Sequence, residues 1–309
     1  MSTTSSASAS APEASGPSAA RDTSIVPAGG KVGESKGFRN VLLIGLVVAL
    51  IFLAAVLLFV LIKGWPRFNL QLITNMPSIR NPSIAGAQSA ITGTLWVITT
   101  TALIALPVGI LAAVYLEEYG NPTSRFYRIV EVNIQNLAAV PSIVYGILGL
   151  AVIARALGLG QSVITAAITL ALLILPVIII ATREALRAVP QSIRFGSMAL
   201  GATKWQTIQK QVLPAAIPGI ATGSILALSR AIGEAAPLLL LGAVTFVSFN
   251  PDGLMSKYTV MPIQMFNWIS QSRDEFQVLA AALGILLLII LLLMNGAAIR
   301  LRNRYQKRW

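Results

Sequence analysis

The sequence predicts an all-α, polytopic membrane protein with six transmembrane helices, and three observations predict it. Of 309 residues, 55% are hydrophobic and only 11% are charged, with a mean hydropathy of +0.76; a soluble domain carries about a quarter charged residues. Six apolar segments recur along the chain, each near or above the ~20 residues that a helix needs to cross a bilayer. Lys and Arg gather in alternate connections between these segments, the bias that orients membrane helices. The chain has no Cys and no His, which excludes a disulfide framework, a thiolate nucleophile, a Cys/His zinc site and an imidazole base.

Residues 1–37 are rich in Ser, Ala, Pro and Gly without apolar periodicity, so they read as a disordered cytoplasmic tail ahead of a membrane domain over 38–309. A cleavable signal peptide would open with a short basic stretch; here a long polar tail precedes the apolar run, which reads as an anchor. That first span, 41–62, carries no charge and reaches about 33 Å as a helix. The remaining spans fall near 92–116, 132–154, 162–181, 215–247 and 278–299. With the N-terminus inside, the cytoplasmic side holds sixteen of the 23 basic residues and the outer side six, namely Lys63, Arg67, Arg80, Arg155, Lys257 and Arg273. The net charge of +12 is therefore topological, and the implied partner is the lipid bilayer rather than nucleic acid. The fifth segment is too long: as one straight helix it would reach about 50 Å against a core of about 30 Å. Gly233 and Pro237 predict a break after a helix over 215–232, followed by a shorter apolar piece that re-enters or lies at the outer face.

Only Arg230 among the basic residues lies within a span, and Glu234 follows it one turn later. Each charge at a helix centre costs about 2.5–3.5 kcal/mol, whereas an i,i+4 pair returns about 0.3–0.5 kcal/mol, so stability alone is a poor reason for both. A structural salt bridge pinning two helices is one reading, and a place on a solute pathway is the other. At about 100° per residue, Gly219, Gly223, Ala227, Arg230 and Glu234 share a narrow face. Gly219 and Gly223 make a G-x-x-x-G pair that admits a close neighbouring helix. A guanidinium fork suits a tetrahedral oxyanion. The adjacent carboxylate would repel sulfate yet accept a hydrogen bond from an oxyanion that still carries a proton, such as phosphate.

The connection over 183–214 predicts further helix, with Pro190 as a start, Pro214 as a stop and Gly201 as an intervening turn. Ile193, Met198, Trp205, Ile208 and Val212 form its apolar face, with Arg194, Lys204 and Lys210 on the polar side. Such a helix lies on lipid or docks in a groove of a soluble partner. No G-x-x-x-x-G-K-[ST] stretch is present, so any ATP that drives this protein is hydrolysed by another chain. Glu117 and Glu118, at a helix end, read as a solvated cytoplasmic edge rather than a catalytic pair, and the chain is not expected to be an enzyme.

The stretch GATKWQTIQKQVLPAAIPGI resembles the EAA loop of binding-protein-dependent ABC importers, with Gly201 and Leu213-Pro214 in the matching positions. NLAAVPSIVYGILGL (136–150), ALGATKWQTI (199–208), LPAAIPGIATGSILALSRAIGEAAPLLL (213–240), MPIQMFNW (261–268) and RNP at 80–82 resemble, more specifically, the phosphate ABC importer permeases of the PstA type, over roughly 40–304. The resemblance implies an ABC importer type I permease fold in a bacterial inner membrane, with both termini cytoplasmic. It implies a PstC-type permease as heterodimer partner, two copies of a PstB-type ATPase holding ATP and Mg, and an extracytoplasmic phosphate-binding protein of the PstS type. No cofactor is expected on this chain. The family's coupling helix maps to Gly201, Ala202, Thr203, Lys204 and Trp205, and its fifth-span Arg and Glu map to Arg230 and Glu234. Two positions depart from the pattern: Phe195-Gly196 stands where the loop begins with Glu-Ala, and Ile180 stands where the family has an Arg near the end of the fourth span. Arg183, one turn further on, reads as a plain inside anchor. Competing expectations are an ABC permease for another oxyanion, and a channel or carrier that needs no ATPase.

Overall fold

The structure, a computed structural model, describes residues 36–242 and 246–305. Residues 1–35 of the predicted 1–37 tail, residues 243–245 of the fifth segment and the last four residues lie outside the described residues, and the tail's last two residues, Lys36 and Gly37, are helical. All regular elements among the described residues are helical, and five helices are long and apolar enough to cross a membrane, or six if one bent pair counts as a single span. The chain divides into two units, residues 1–55 and 56–309.

Of the first unit, residues 36–55 are described, the N-terminal part of α1 (Lys36–Gly64). Its apolar side chains are exposed around the whole helix, Phe38, Leu42, Leu46 and Phe52 among them, the pattern of a helix made for lipid or for another chain.

The second unit is built around α6 (Val163–Arg187), the most buried of the spans. It packs on α3 (Gln88–Val114), on α9 (Leu213–Gly233) and on α5 (Ser142–Leu148). Ala171, Ile174 and Ile178 of α6 meet Ala105, Tyr145, Ala227 and Ala231 in one core cluster. α12 (Asp274–Tyr305) packs on α9 and on α11 (Met261–Ile269), around Phe276, Leu279 and Leu283. Four threonines within the spans close on their own helices: Thr94, Thr101, Thr169 and Thr222 each donate to the carbonyl four residues back, at 2.7–2.8 Å, which satisfies these hydroxyls away from water.

The third predicted span is not one helix. α4 (Arg125–Ala139) and the apolar stretch 142–156 meet at a bend of 102°. Val140 is extended, at φ −66° and ψ 131°, because the ring of Pro141 bars the residue before it from the helical region. α4 is thereby amphipathic, and it carries Tyr127 and Glu131 toward α6.

Pro214, a predicted stop, does not end the helix. Helical structure runs from Lys204 to Gly233, through α8 (Lys204–Thr207) and a widened π-helical stretch, Ile208–Val212, into α9. A proline cannot supply the i→i−4 bond and crowds the preceding turn; the wide turn just before it relieves both problems. The break predicted near Gly233 is present: α9 ends at Gly233, Glu234 is extended, and a short helix, α10 (Ala236–Leu240), follows. Residues 246–260 then stitch the bundle together. Ser89 Oγ donates to Val247 O at 2.9 Å, and the amides of Val163 and Ile164 donate to Ser256 O and Leu254 O at 3.1 and 2.9 Å.

Candidate functional site

Arg230 and Glu234 occupy the C-terminal turn of α9 and its cap, about 26 Å along the helix from Leu213. Arg230 Nε donates to Glu234 Oε1 at 3.3 Å. The Arg230 side chain is 53% exposed and that of Glu234 17%, and the other guanidinium N–H groups have no partner among the described residues. The outer end of the stripe that carries Arg230 is uncovered: Leu226 and Gly233 are exposed beside it, whereas Ala227, Ser229 and Ala231 are buried. Lower on the helix the two glycines do what their spacing implies. A Cβ on Gly219 would lie 2.7 Å from Ala185 Cβ, and one on Gly223 2.5 Å from Ala181 Cβ, so α9 and α6 approach as closely as small residues allow.

At the other end, the chain between α6 and α9 folds as a helical hairpin. α7 (Gln191–Ala199) begins directly after Pro190, and the turn to α8 is made at Gly201, whose φ of +88° is a left-handed conformation open chiefly to glycine. Thr203 starts α8 with a capping box: its hydroxyl accepts from the Gln206 amide and the Gln206 side chain accepts from the Thr203 amide. The hydroxyls of Ser197 and Thr207 lie 2.9 Å apart and tie the two helices, and Lys204 Nζ sits 4.9 Å from the ring centre of Tyr119. The predicted apolar face is divided. Ile208 and Val212 are buried against Val114, Leu186 and Ile220, whereas Phe195, Met198, Leu200 and Trp205 project outward, Leu200 at 91% exposure. Ala202, at the turn, is partly covered.

Three expectations at this end are corrected. Arg194 is not on a polar outer face: it is buried, donating to Val189 O at 2.7 Å, Leu186 O at 2.9 Å and Glu118 Oε1 at 2.8 Å. Glu117 and Glu118 are not a solvated edge, since their side chains are 16% and 8% exposed. Glu117 accepts from Arg183 at 3.1 Å and Arg187 at 2.8 Å. Arg183 is not a plain anchor: it also donates to Tyr127 Oη at 2.6 Å and Glu131 Oε1 at 3.1 Å. The physical reason is common to all three. The helix ends of α3, α4 and α6 converge with α7, and charges removed from water there need partners. The signal available in sequence was depth: Arg183 and the Glu pair each sit within a turn of the end of a long apolar run.

Among the described residues no group of acidic side chains could hold a metal ion. The class that fold and site define is a multi-pass, helical membrane protein. Residues 105–307 match the family described as binding-protein-dependent transport system inner membrane component, and the chain belongs to that family. It is 34% identical over 259 residues to the phosphate transport system permease protein PstA 1 of Mycobacterium tuberculosis, covering 82% of this chain and 84% of the relative. It is 30% identical over 252 residues to the probable ABC transporter permease protein YqgI of Bacillus subtilis, covering 78% and 85%. Its backbone is similar to a chain of a bacterial alginate ABC transporter solved in complex with an alginate pentasaccharide-bound periplasmic protein, with a TM-score of 0.63, 15% identity, and coverage of 87% and 95%. That likeness establishes the ABC importer permease fold.

Proposed function

We infer that this chain is one transmembrane half of an ATP-driven importer of inorganic phosphate. The observation that carries the reading is Arg230: a cation half exposed within a membrane span, bonded once at 3.3 Å and lying at the uncovered end of its stripe. Facing lipid, it would cost about 2.5–3.5 kcal/mol. Facing a second permease across a polar seam, it becomes a ready oxyanion donor. The relatives named as phosphate permeases support phosphate as the oxyanion.

The same reading gives the partners. A PstC-type permease covers the α9 stripe, two PstB-type ATPases supply ATP hydrolysis with Mg, and a PstS-type binding protein delivers solute from outside. The hairpin at Gly201, Ala202, Thr203, Lys204 and Trp205 meets the ATPase. Its exposed Phe195, Met198, Leu200 and Trp205 form the apolar side of a docking helix, and buried Ile208 and Val212 join it to the span that bears Arg230. The Lys/Arg bias supports both termini in the cytoplasm. Transport then proceeds by alternating access, because ATP binding moves the hairpin and the two facing states differ in affinity for the solute. Glu234 supplies discrimination by accepting a hydrogen bond from the O–H that phosphate carries and sulfate lacks.

Uptake by the reconstituted four-component system tests this. Glu234→Gln should retain phosphate uptake while losing the preference over sulfate by about tenfold, a single charge-assisted hydrogen bond. Equal selectivity in variant and wild type would remove Glu234 from the pathway.

A further inference from the structure

The outer connection between α2 (Leu70–Thr74) and α3 is held in place by side chains from two distant elements. Arg67, in the turn after α1, donates Nη1 to Ser83 O at 2.7 Å and Nη2 to Pro82 O and Ala85 O at 2.8 and 3.2 Å. Arg273, just before α12, donates Nη1 to Arg80 O at 2.9 Å. Asn75 Nδ2 donates to Ile84 O at 3.0 Å, and the amides of Gly86 and Ala87 donate to Met76 O and Leu72 O. Pro77 and Pro82 are buried, while Ile79, Arg80 and Asn81 project from the surface. The Arg80 guanidinium has no partner among the described residues. A cavity lies on each side of this tip. One, about 300 Å³, is bounded by Ser78, Ile79, Gln264 and Asn267; Gln264 is buried there, and its side chain makes no hydrogen bond to a described residue. The other, about 380 Å³, lies between Arg67, Asn81, Pro82 and Arg273.

We propose that the clamped tip at residues 79–81, with the two cavities beside it, is the platform on which the solute-loaded binding protein docks, through an acidic patch of that protein. The inference rests on the function proposed above, which places this loop outside the cell. Two guanidiniums spent on backbone carbonyls do not bind a ligand; they fix a loop. A loop fixed beforehand loses little freedom when a partner arrives. The tip offers a cation and an apolar side chain, Ile79, between two recesses that can receive partner side chains. The chemistry also selects the partner's charge. Three basic residues gather at the tip, Arg67, Arg80 and Arg273, and the carboxylate beside them, Glu275, is paired with Arg273. A basic rim steers an acidic surface and raises its rate of encounter. Transport in this family is binding-protein-dependent, so a partner of that kind has to land on the outer face.

The test uses the complete transporter in lipid nanodiscs and the phosphate-loaded binding protein, with ATP turnover measured against binding-protein concentration. Arg80→Glu should raise the half-maximal concentration by about tenfold and flatten its dependence on ionic strength, while the plateau at saturation is retained. Arg273→Ala, which releases one carbonyl clamp, should raise it about threefold. Arg80 is exposed, so its variants fold, and Arg80→Gln provides a charge-neutral control with an intermediate shift. An unchanged half-maximal concentration in Arg80→Glu overturns the proposal. So does a change confined to the dependence on anionic lipid, which would assign Arg80 to headgroups. A wild-type complex that phosphate-loaded binding protein does not stimulate at all would instead defeat the reading of function.

Discussion

The two charged regions of this permease differ in how completely the chain satisfies them. At the end of the bundle where α7 lies, Arg183 and Arg194 are buried and each meets several partners, most of them on other helices. At the other end of α9, Arg230 meets one carboxylate on its own helix and stays half exposed. The first arrangement holds helices in register, because moving any one of them strands a charge. The second leaves donors free for something that comes from outside the chain. Burial and partner number together, rather than the mere presence of a charge near the membrane, separate a joint from a site.

The comparison can be broken most forcefully at Arg194. Replacing it by Ala leaves Glu118 uncompensated in a buried position and should lower stability by about 3–5 kcal/mol, read as a fall in the thermal unfolding midpoint in detergent. The double variant Arg194→Met with Glu118→Leu should recover most of that loss, since an apolar pair of similar size removes both buried charges. Failure of the double variant to recover would mean that the carbonyls of Leu186 and Val189 need the guanidinium more than Glu118 does. A smaller effect is expected where α9 meets α6. Gly223→Leu forces a side chain against Ala181 and should cost about 1–3 kcal/mol; a neutral result would show that the seam can open. The smallest effect on folding belongs to Arg230→Ala, below about 0.5 kcal/mol for an i,i+4 pair whose guanidinium is half exposed, together with loss of phosphate uptake in reconstituted vesicles. A large stability loss there, with uptake retained, would make Arg230 a joint like Arg194.

Most of the apolar helices were legible in sequence because hydropathy is a local signal. The break after α9 was legible for the same reason: a segment too long for the bilayer carries Gly233 and Pro237 within itself. The bend at Pro141 was present in the sequence as Val-Pro but was masked by the apolar run that spans it. Pro214 misled in the opposite sense, since a widened turn keeps the helix going, and nothing in the composition of 208–212 announces that turn. The ion-pair joint was illegible for a different reason. Arg183 and Arg194 find their carboxylates 66 and 76 residues earlier, a pairing made only when three helix ends converge. Sequence marks Arg230 as unusual because its cost is set by its own span, whereas the value of Arg194 is set by its neighbours in space.

The first amides of α6 are claimed by carbonyls of Leu254 and Ser256, residues that leave the ribosome long after the fourth span has done so. The most enclosed helix of the bundle is thus provisional during synthesis: it can enter the bilayer early, but its outer tip waits for nearly the whole polypeptide before its donors are covered. Chains truncated ahead of residue 254 should carry that helix with a frayed, protease-sensitive end.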